Sequence, residues 1–301
     1  MSSALRLRKI TGFFGLEVSN FDSDDDAHLA SLSGLLCDNA VVVLREAALT
    51  HAQQVTLAKA LGEPTPAHPV VPGHPDHPEI LELDGAKGGK NALWHTDVTF
   101  VATPPAASIL VADQLPEVGG DTMFCDMRSA LAALNPALRT MINDLTAVHH
   151  ITPLAYWGDP YDSAMSLDEA HKLLRQSESI PPIAHPVVRV HPVTGVPSLF
   201  VNPGFASHIM GMARHESRHI LDLLFAHATQ PEFCLRHQWS NGDVVMWDNR
   251  ATMHYAIDDY GAASRKMRRV TIRGDAPVGP TGFVSHVVSD PRVYMIGSPT
   301  R

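Results

Sequence analysis

Residues 94–100 read Trp-His-Thr-Asp-Val-Thr-Phe, and the pairing of His95 with Asp97 in this stretch decides how the rest of the chain is interpreted. Residues two apart on a β-strand point to the same face, so on a strand these two side chains would reach one metal ion. A second histidine, His254, follows the apolar strand and turn Val-Val-Met-Trp-Asp-Asn at residues 244–249. The sequence predicts a mononuclear metal site in which His95, Asp97 and His254 are the catalytic ligands.

Two imidazoles and one carboxylate on one face of a metal are typical of non-haem iron(II) oxygenases. This ligand set leaves three adjacent coordination positions open, two for a chelating 2-oxo acid and one for O2. The pattern therefore suits iron(II). A His-x-Asp tripeptide also occurs by chance on protein surfaces, so the interpretation needs a second motif.

A basic stretch at residues 264–272, Ser-Arg-Lys-Met-Arg-Arg-Val-Thr-Ile, supplies that second motif. On a strand, Arg265 and Arg269 would face the same way and lie ~13 Å apart. Two arginines at that separation would bind two different anions, one the distal carboxylate of the 2-oxo acid and the other the acidic group of a substrate. A solvated basic edge strand is the alternative interpretation of this stretch taken alone.

Short apolar runs rich in β-branched residues, separated by proline and glycine, predict many short strands. The predicted strands are Ala40–Leu44, Ile80–Leu83, Ser108–Ala112, Val187–Val190, Leu199–Val201, Val244–Trp247 and Val270–Ile272. Capping boxes that begin at Thr50 and Ser166, and helical periodicity in Asp26–Leu36 and Ala213–His227, predict inserted helices. These elements favour a mainly β fold with inserted helices (α+β), an antiparallel double sheet of the jelly-roll, cupin-like kind, in a single domain over residues 1–301.

Two long segments between predicted strands are expected to act as lids over the site. Residues 66–90 contain many prolines, glycines and histidines, and residues 155–182 join predicted strands through a long excursion. Long insertions in a compact domain often close over a bound substrate.

The charge and cysteine content restrict the partners that the chain is expected to have. The 301 residues carry a formal net charge of −9 and contain no run of lysine and arginine. Because a phosphate backbone recruits a basic face, nucleic acid is not an expected partner, and a small anionic substrate would be met by a few local arginines. Cys37, Cys125 and Cys234 are expected to be isolated buried thiols in a reducing cytoplasm. No stretch approaches the ~20 apolar residues of a membrane-spanning helix.

A series of motifs, in the same order from about residue 5 to about residue 278, resembles the taurine dioxygenase/2,4-dichlorophenoxyacetate dioxygenase family. The motifs are Trp94-His-Thr-Asp-Val-Thr-Phe100, Thr103-Pro-Pro-Ala106, Gly119-Gly-Asp-Thr122, His185-Pro-Val-Val-Arg189, Phe200-Val-Asn202, Phe225-Ala-His227, Pro231-Glu-Phe233, Trp247-Asp-Asn-Arg250, His254-Tyr255 and Arg268–Val270. The family's enzymes depend on iron(II) and 2-oxoglutarate.

The resemblance implies a double-stranded β-helix with His95, Asp97 and His254 as iron ligands, and with 2-oxoglutarate and O2 as cosubstrates. It further implies Thr122 and Arg265 at the distal carboxylate of 2-oxoglutarate, Arg269 and His68 at the acidic group of the substrate, and Asn91, Val98 and Phe205 in the substrate pocket. A carboxylate at position 97 favours hydroxylation, because related halogenases have glycine or alanine there. A homo-oligomer, a dimer or a tetramer, is also implied.

Three positions depart from the pattern of the enzymes that use taurine. Val71 stands where those enzymes look alike in having a tyrosine, and Leu154 and Ala155 stand where they have a serine and a phenylalanine. The more apolar pocket favours a substrate with a longer or more hydrophobic tail, as in the similar alkylsulfatases. The expected reaction hydroxylates the carbon next to the acidic group of a small organosulfonate or alkyl sulfate, releasing an aldehyde with sulfite or sulfate, plus succinate and CO2. A carboxylate substrate, phenoxyalkanoate or amino-acid-like, is the alternative.

Two interpretations from other classes remain open at the level of the sequence. Residues 215–219 read His-Glu-Ser-Arg-His, which on a helix matches the zinc-binding motif of metallopeptidases. The apolar stripe of that helix is Ile220, Leu223 and Leu224, so both histidines are expected near a solvated face. A non-catalytic β-helix protein that binds a metal or a small ligand is the other alternative.

Overall fold

The computed structural model describes residues 4–68, 71–85, 91–151, 175 and 179–289. The strands in this part of the chain are β1 (Arg6–Lys9), β2 (Leu16–Ser19), β3 (Val41–Leu44), β4 (Leu81–Asp84), β5 (Ala107–Gln114), β6 (Thr122–Asp126), β7 (Thr146–His149), β8 (Ile183–Pro186), β9 (Val188–Val190), β10 (Pro197–Leu199), β11 (Ala206–Ile209), β12 (Cys234–His237), β13 (Val244–Asp248), β14 (Thr252–Ala256), β15 (Lys266–Ile272) and β16 (His286–Val287). The helices are α1 (Asp26–Asn39), α2 (His51–Leu61), α3 (Met127–Ala133), α4 (Pro136–Ile142) and α5 (Arg214–Ala228), followed by a single 3-10 turn (Pro231–Phe233).

A large, mainly antiparallel sheet has the strand order β1-β2-β3-β13-β5-β15-β4. Its central strands are apolar on both faces, so alternate residues join different cores. In β3, Val42 and Leu44 face helices α1 and α2, whereas Val41 and Val43 face the interior of the molecule. The sheet is therefore a buried layer between the two helices and the rest of the strands.

The two helices that cover this sheet begin at side-chain caps. The Asp25 carboxylate accepts from the backbone N–H groups of Ala27 and His28 at the start of α1. Thr50 and Gln53 form a capping box at the start of α2, as the sequence predicts. These caps satisfy backbone donors that the first helical turn leaves without partners.

A second, three-stranded sheet with the order β12-β6-β14 packs against the interior face of the large sheet. Phe124 of β6 and Leu235 of β12 contact Val245 and Trp247 of β13 in a shared core. The opposite face of the small sheet is covered by α3 and α5. Further strands form the order β11-β7-β8-β16 and the pair β10-β9. The prediction of a sheet-rich fold with inserted helices is confirmed.

The prediction of three isolated, buried cysteines needs correction. Cys125 and Cys234 are not isolated, because they lie directly opposite each other on β6 and β12. Only Cys125 is fully buried; all three cysteines are free thiols, and Cys37 and Cys234 are half-buried.

The predicted lid over residues 66–90 includes strand β4, which pairs with β15 in the large sheet, so that part of the segment is a structural element of the sheet. The second predicted lid falls almost entirely outside the described residues, as does the capping box at Ser166. No helix in the described ranges has the length and apolar character needed to cross a membrane.

Candidate active site

His95, Asp97 and His254 come together between the two sheets, and all three side chains are buried. His95 and His254 form an isolated antiparallel bridge in which the backbone N–H of each donates to the carbonyl of the other, at 3.0 and 2.8 Å. Asp97 Oδ1 lies 3.9 Å from Nε2 of His95 and 3.9 Å from Nε2 of His254. The structure thus brings three donor atoms from distant parts of the chain to one point.

The local backbone around Asp97 differs from the strand that the sequence predicts. His95 takes part only in the bridge, and Asp97 begins a turn over residues 97–100, so the prediction of a shared strand is wrong. Val98 in this turn has φ of +53°, a left-handed conformation that β-branched residues rarely adopt. Backbone strain of this kind clusters at functional sites. The turn, and not strand alternation, directs the carboxylate toward the two imidazoles.

Burial keeps the two imidazoles neutral, and a hydrogen bond fixes which nitrogen of His95 carries the proton. His95 Nδ1 lies 2.8 Å from the carbonyl of Leu93, which can only accept, so this nitrogen carries the proton and Nε2 keeps its lone pair. Burial lowers the pKa of His95, and burial together with the neighbouring His95 ring holds the pKa of His254 well below its usual value. Burial alone would raise the pKa of Asp97, but Arg269 and the two histidines outweigh it and keep the carboxylate ionised. These are the protonation states that metal ligands require.

A chain of buried hydrogen bonds fixes the second oxygen of the Asp97 carboxylate. Ser108 Oγ on β5 donates to Asp97 Oδ2 at 2.6 Å. Asn249 Nδ2 donates to Ser108 Oγ at 2.9 Å, and Trp247 Nε1 donates to Asn249 Oδ1 at 3.0 Å. Oδ2 is thereby turned toward the large sheet, so Oδ1 is the oxygen presented to the histidines.

Arg269 lies on the interior face of β15, beside the three candidate ligands. Its Nη1 donates to Asp97 Oδ1 at 2.5 Å, and its side chain is buried. His68 is also buried, and burial followed by the charge of Arg269 lowers the pKa of His68 to about 3. The backbone N–H of Val71 donates to His68 Nδ1, so the neutral ring carries its proton on Nε2.

Arg265 and Thr122 lie at the other end of the same space. Arg265 Nε donates to the carbonyl of Gly120 at 3.0 Å, while its Nη2 is buried and has no hydrogen-bond partner among the described residues. Burial lowers the pKa of this guanidinium. Thr122 Oγ1 accepts from Trp239 Nε1 at 3.0 Å, which leaves its O–H able to donate. A buried cationic donor without an acceptor is a site that an anion would satisfy.

A cavity of about 350 Å³ connects these groups. The predicted site residues on its wall are Asn91, His95, Thr122, His254, Arg265 and Arg269. The two histidines and the two arginines therefore face one volume, large enough for a small dicarboxylate beside a second small molecule.

Comparison with known proteins identifies the family of the chain. The family model described as taurine catabolism dioxygenase TauD, TfdA family, matches residues 6–271. The chain belongs to the TauD/TfdA family. The resemblance drawn from the sequence motifs is confirmed, and so is the predicted class of enzyme, a 2-oxoglutarate-dependent dioxygenase.

Several relatives in the TauD/TfdA family match over most of their length. An alpha-ketoglutarate-dependent sulfate ester dioxygenase from Pseudomonas putida is 38% identical over 93% of this chain and 93% of its own. An alkylsulfatase from Acinetobacter baylyi is 36% identical over 93% of this chain and 88% of its own. The crystal structure of a taurine dioxygenase from Burkholderia xenovorans has a TM-score of 0.80 at 33% identity, covering 97% of this chain and 98% of that one.

The zinc-peptidase motif of this TauD/TfdA chain lies on α5, away from the cavity. His215 and His219 are exposed, as the apolar stripe of the helix predicts. Glu216 accepts from the backbone N–H of Ala213 at 2.9 Å, so its carboxylate caps the helix. The geometry of this helix gives the peptidase interpretation no support.

Most of the remaining predicted pocket residues lie near the candidate ligands but do not line the cavity. Val98 and Phe205 pack with Phe100 and Ile151 in a small apolar cluster, and the Phe205 ring meets the His95 ring edge-on at 6.3 Å. Asn91, like Val98, has a positive φ, of 44°. Neither Val98, Phe205 nor His68 is among the described residues that line the cavity.

Residues that the sequence interpretation missed include Ser108 and Asn249. Asn249 belongs to the Trp-Asp-Asn motif at 247–249, which marks a family position without stating its contacts, and Ser108 appears in the sequence only as the first residue of a predicted strand.

Proposed function

We propose that His95, Asp97 and His254 hold one iron(II) ion, and that Thr122 and Arg265 bind the distal carboxylate of 2-oxoglutarate in the same cavity. The observation that carries the proposal is a buried cluster of His95, Asp97 and His254 whose two histidines line the same cavity as Arg265, the Nη2 of which has no partner among the described residues. Two neutral imidazoles and one ionised carboxylate suit iron(II). A related solved structure, 29% identical with a TM-score of 0.74, is that of AAD-2 in complex with Mn(II) and N-oxalylglycine, a compound with the carboxylates of 2-oxoglutarate.

Iron(II) and 2-oxoglutarate, when bound, would supply the activation of O2 and the oxidation of a substrate C–H bond. The protein's own part is to hold the ligands in fixed protonation states. Ser108 turns Oδ2 away from the two histidines, so Asp97 would bind the metal through Oδ1, the oxygen that faces both histidine Nε2 atoms and also accepts from Arg269. A monodentate carboxylate leaves more coordination positions open for the cosubstrate.

The acidic group of the substrate would be bound by Arg269 and His68. Arg269 is positioned beside the ligand set by its bond to Asp97, and its guanidinium has further N–H donors for a second anion. His68, with its pKa lowered to about 3, stays neutral and offers Nε2–H without adding charge. This arrangement would aim the carbon next to the anion at the metal side of the cavity.

Sulfate esters and sulfonates are the substrates that we propose. The names of the relatives at 38% and 36% identity refer to sulfate esters and alkyl sulfates. Hydroxylation of the carbon that bears a sulfate ester gives a product that collapses to an aldehyde and sulfate, and the corresponding sulfonate gives an aldehyde and sulfite. Relatives named for 2,4-dichlorophenoxyacetate, at 33% identity, keep a carboxylate substrate as the second candidate.

A panel of alkyl substrates with different acidic groups, with taurine as a short polar comparison, tests this proposal. Enzyme loaded with iron(II) and 2-oxoglutarate without O2 is mixed with hexyl sulfate, hexanesulfonate, hexanoate or taurine, and succinate, aldehyde, sulfate and sulfite are measured after O2 is admitted. The expected result is one aldehyde and one sulfate per succinate with hexyl sulfate, and less product with taurine. Product formation with hexanoate alone would contradict the proposed substrate class.

Several broader features belong to the same proposal. The two packed sheets support a double-stranded β-helix, with residues 1–301 as a single dioxygenase domain and parts of 66–90 and 155–182 closing over the substrate. Free cysteines and the use of 2-oxoglutarate, a central metabolite, support a cytoplasmic location. A homo-oligomer, a dimer or a tetramer, is proposed from the family, and sedimentation velocity would test it.

A further inference from the structure

Three imidazoles gather beside one wall of the cavity, outside the ligand set described above. His51 is the first residue of α2, and His74 and His77 lie in the turn that precedes β4. The His51 ring centroid is 4.9 Å from that of His74 and 5.8 Å from that of His77. The proposed function gives none of these rings a role.

A carboxylate completes this group. Glu82 on β4 is exposed, and one donor atom each from His51, His74 and Glu82 lies within 4.8 Å of the others. The catalytic ligands His95, Asp97 and His254 meet the same limit. We propose that His51, His74 and Glu82 form a second metal site, selective for a first-row divalent cation that accepts nitrogen ligands, such as zinc(II).

The chemistry of the group fits such a cation. Burial, the charge of Arg268 and the neighbouring His74 lower the pKa of His51, so its lone pair is available near neutral pH. Arg268 is itself neutralised by Asp113, at 2.7 Å, and also donates to the carbonyl of Leu49. Two imidazoles and one carboxylate, with water in the fourth position, are an ordinary zinc ligand set.

Binding requires a small rearrangement of the turn. Zinc bonds of ~2.0–2.2 Å bring donors closer together than the limit of 4.8 Å. The backbone N–H of Asp76 donates to His74 Nδ1 at 3.1 Å, so zinc at Nε2 would move the ring proton to Nδ1 and break this bond. The turn around His74 therefore adjusts when the cation binds.

A cation bound by His51, His74 and Glu82 would connect the wall of the cavity to helix α2. His74 and Glu82 are part of the cavity wall, whereas His51 belongs to α2. A cation would fasten this wall to the helix and stiffen that part of the cavity. Occupancy is expected to change the KM for substrate several-fold while the catalytic ligands stay as they are.

Zinc titration of a protein whose catalytic ligands are removed tests the inference independently of the proposed function. In the double variant Asp97→Ala/His254→Ala, competition with a chromophoric chelator should detect one zinc per chain. Adding His51→Gln and His74→Gln should weaken this binding at least ten-fold. The matched control adds His215→Gln and His219→Gln, which remove the exposed histidine pair of α5 and should leave the affinity unchanged.

Two outcomes would overturn the proposal. Zinc binding that survives His51→Gln/His74→Gln would place the cation elsewhere, and loss in the His215→Gln/His219→Gln control would assign it to α5. Because the histidine variants can disturb folding, Glu82→Gln on the exposed face of β4 serves as a second test. It should also weaken zinc binding at least ten-fold, with an unchanged circular dichroism spectrum and unfolding midpoint.

Discussion

The Asp97 carboxylate is held at both oxygens, and this determines what the side chain can do. Oδ2 accepts from Ser108, and Oδ1 faces the two histidines and Arg269. The ionised state follows from these contacts, because the buried charge is surrounded by donors and by a guanidinium. Removing a contact should therefore change how the carboxylate binds metal before it changes the fold.

Ser108→Ala tests whether the hydrogen bond from Ser108 positions the Asp97 carboxylate. The variant loses the donor to Oδ2, frees the carboxylate to rotate, and is expected to lower metal affinity by about 10–100-fold. The measurement is anaerobic iron(II) or cobalt(II) titration with 2-oxoglutarate present.

Ser198→Ala is the matched control, because it removes a buried hydroxyl that donates to the carbonyl of Arg250, away from the ligands. It should cost about 1 kcal/mol of stability and leave metal affinity intact. Equal metal affinity in both variants would show that the Ser108 contact does not position Asp97.

Arg265→Ala tests the anion site at the other end of the cavity. Loss of a buried cationic donor should weaken 2-oxoglutarate binding by about 2–5 kcal/mol, seen as a KM for 2-oxoglutarate raised ~30-fold or more. The control is Arg273→Ala, which removes an exposed arginine, paired with Glu63, one residue beyond the same strand. A raised KM for the organic substrate with no change for 2-oxoglutarate would reverse the assigned roles of Arg265 and Arg269.

The residue types of the candidate site could be predicted, but their local conformations could not. The spacing of His95 and Asp97 and the distant His254 predicts a candidate ligand set, and the structure brings these three side chains together. The turn at 97–100 follows the bridge between His95 and His254, a contact across more than 150 residues that no local pattern contains. The Ser108–Asn249 contact likewise exists only after β5 and β13 have paired.

At the scale of elements, strands with both faces buried were the easiest to predict. Val41–Leu44 and Val244–Trp247 are continuous runs of β-branched or large apolar residues, typical of central strands. Strands of the smaller sheets, such as Thr122–Asp126 and Cys234–His237, were missed because their sequences mix polar and apolar residues without clear alternation. Their strand conformation depends on pairing with each other.

Strands β7 and β8 bring two buried histidines together, and this pair predicts a pH dependence of stability. The His149 and His185 rings meet edge-on at 4.8 Å, and burial lowers the pKa of His185 to about 3. Below the ordinary value of ~6.5 the unfolded chain takes up a proton that the native ring refuses, so stability falls as the pH falls from ~6.5 toward 3.

Urea unfolding of metal-free protein between pH 7 and pH 5 measures this effect. The free energy of unfolding should fall by about 1.4 kcal/mol per pH unit for each such histidine, once the pH is below ~6. His185→Gln should flatten the slope, whereas His215→Gln, at an exposed position, should not. An identical slope in the wild type and in His185→Gln would contradict the assignment.

At the scale of the whole molecule, the fold makes a local cationic site inside an acidic protein. The chain has a net charge of −9, yet two arginines project into the cavity between the sheets. Both come from the segment around β15, a strand in the interior of the large sheet, and Arg269 is fully buried there. Selection of an anionic substrate therefore depends on these arginines and not on long-range attraction by the surface.

We propose that one metal and one 2-oxo acid share the space between the two sheets. A crystal structure of the protein grown without O2 in the presence of iron(II) and 2-oxoglutarate, with anomalous diffraction at the iron edge, measures this most directly. We expect one iron peak within bonding distance of His95, Asp97 and His254, and the distal carboxylate of 2-oxoglutarate against Arg265 and Thr122. Iron bound by fewer than these three side chains, or 2-oxoglutarate away from Arg265, would contradict it.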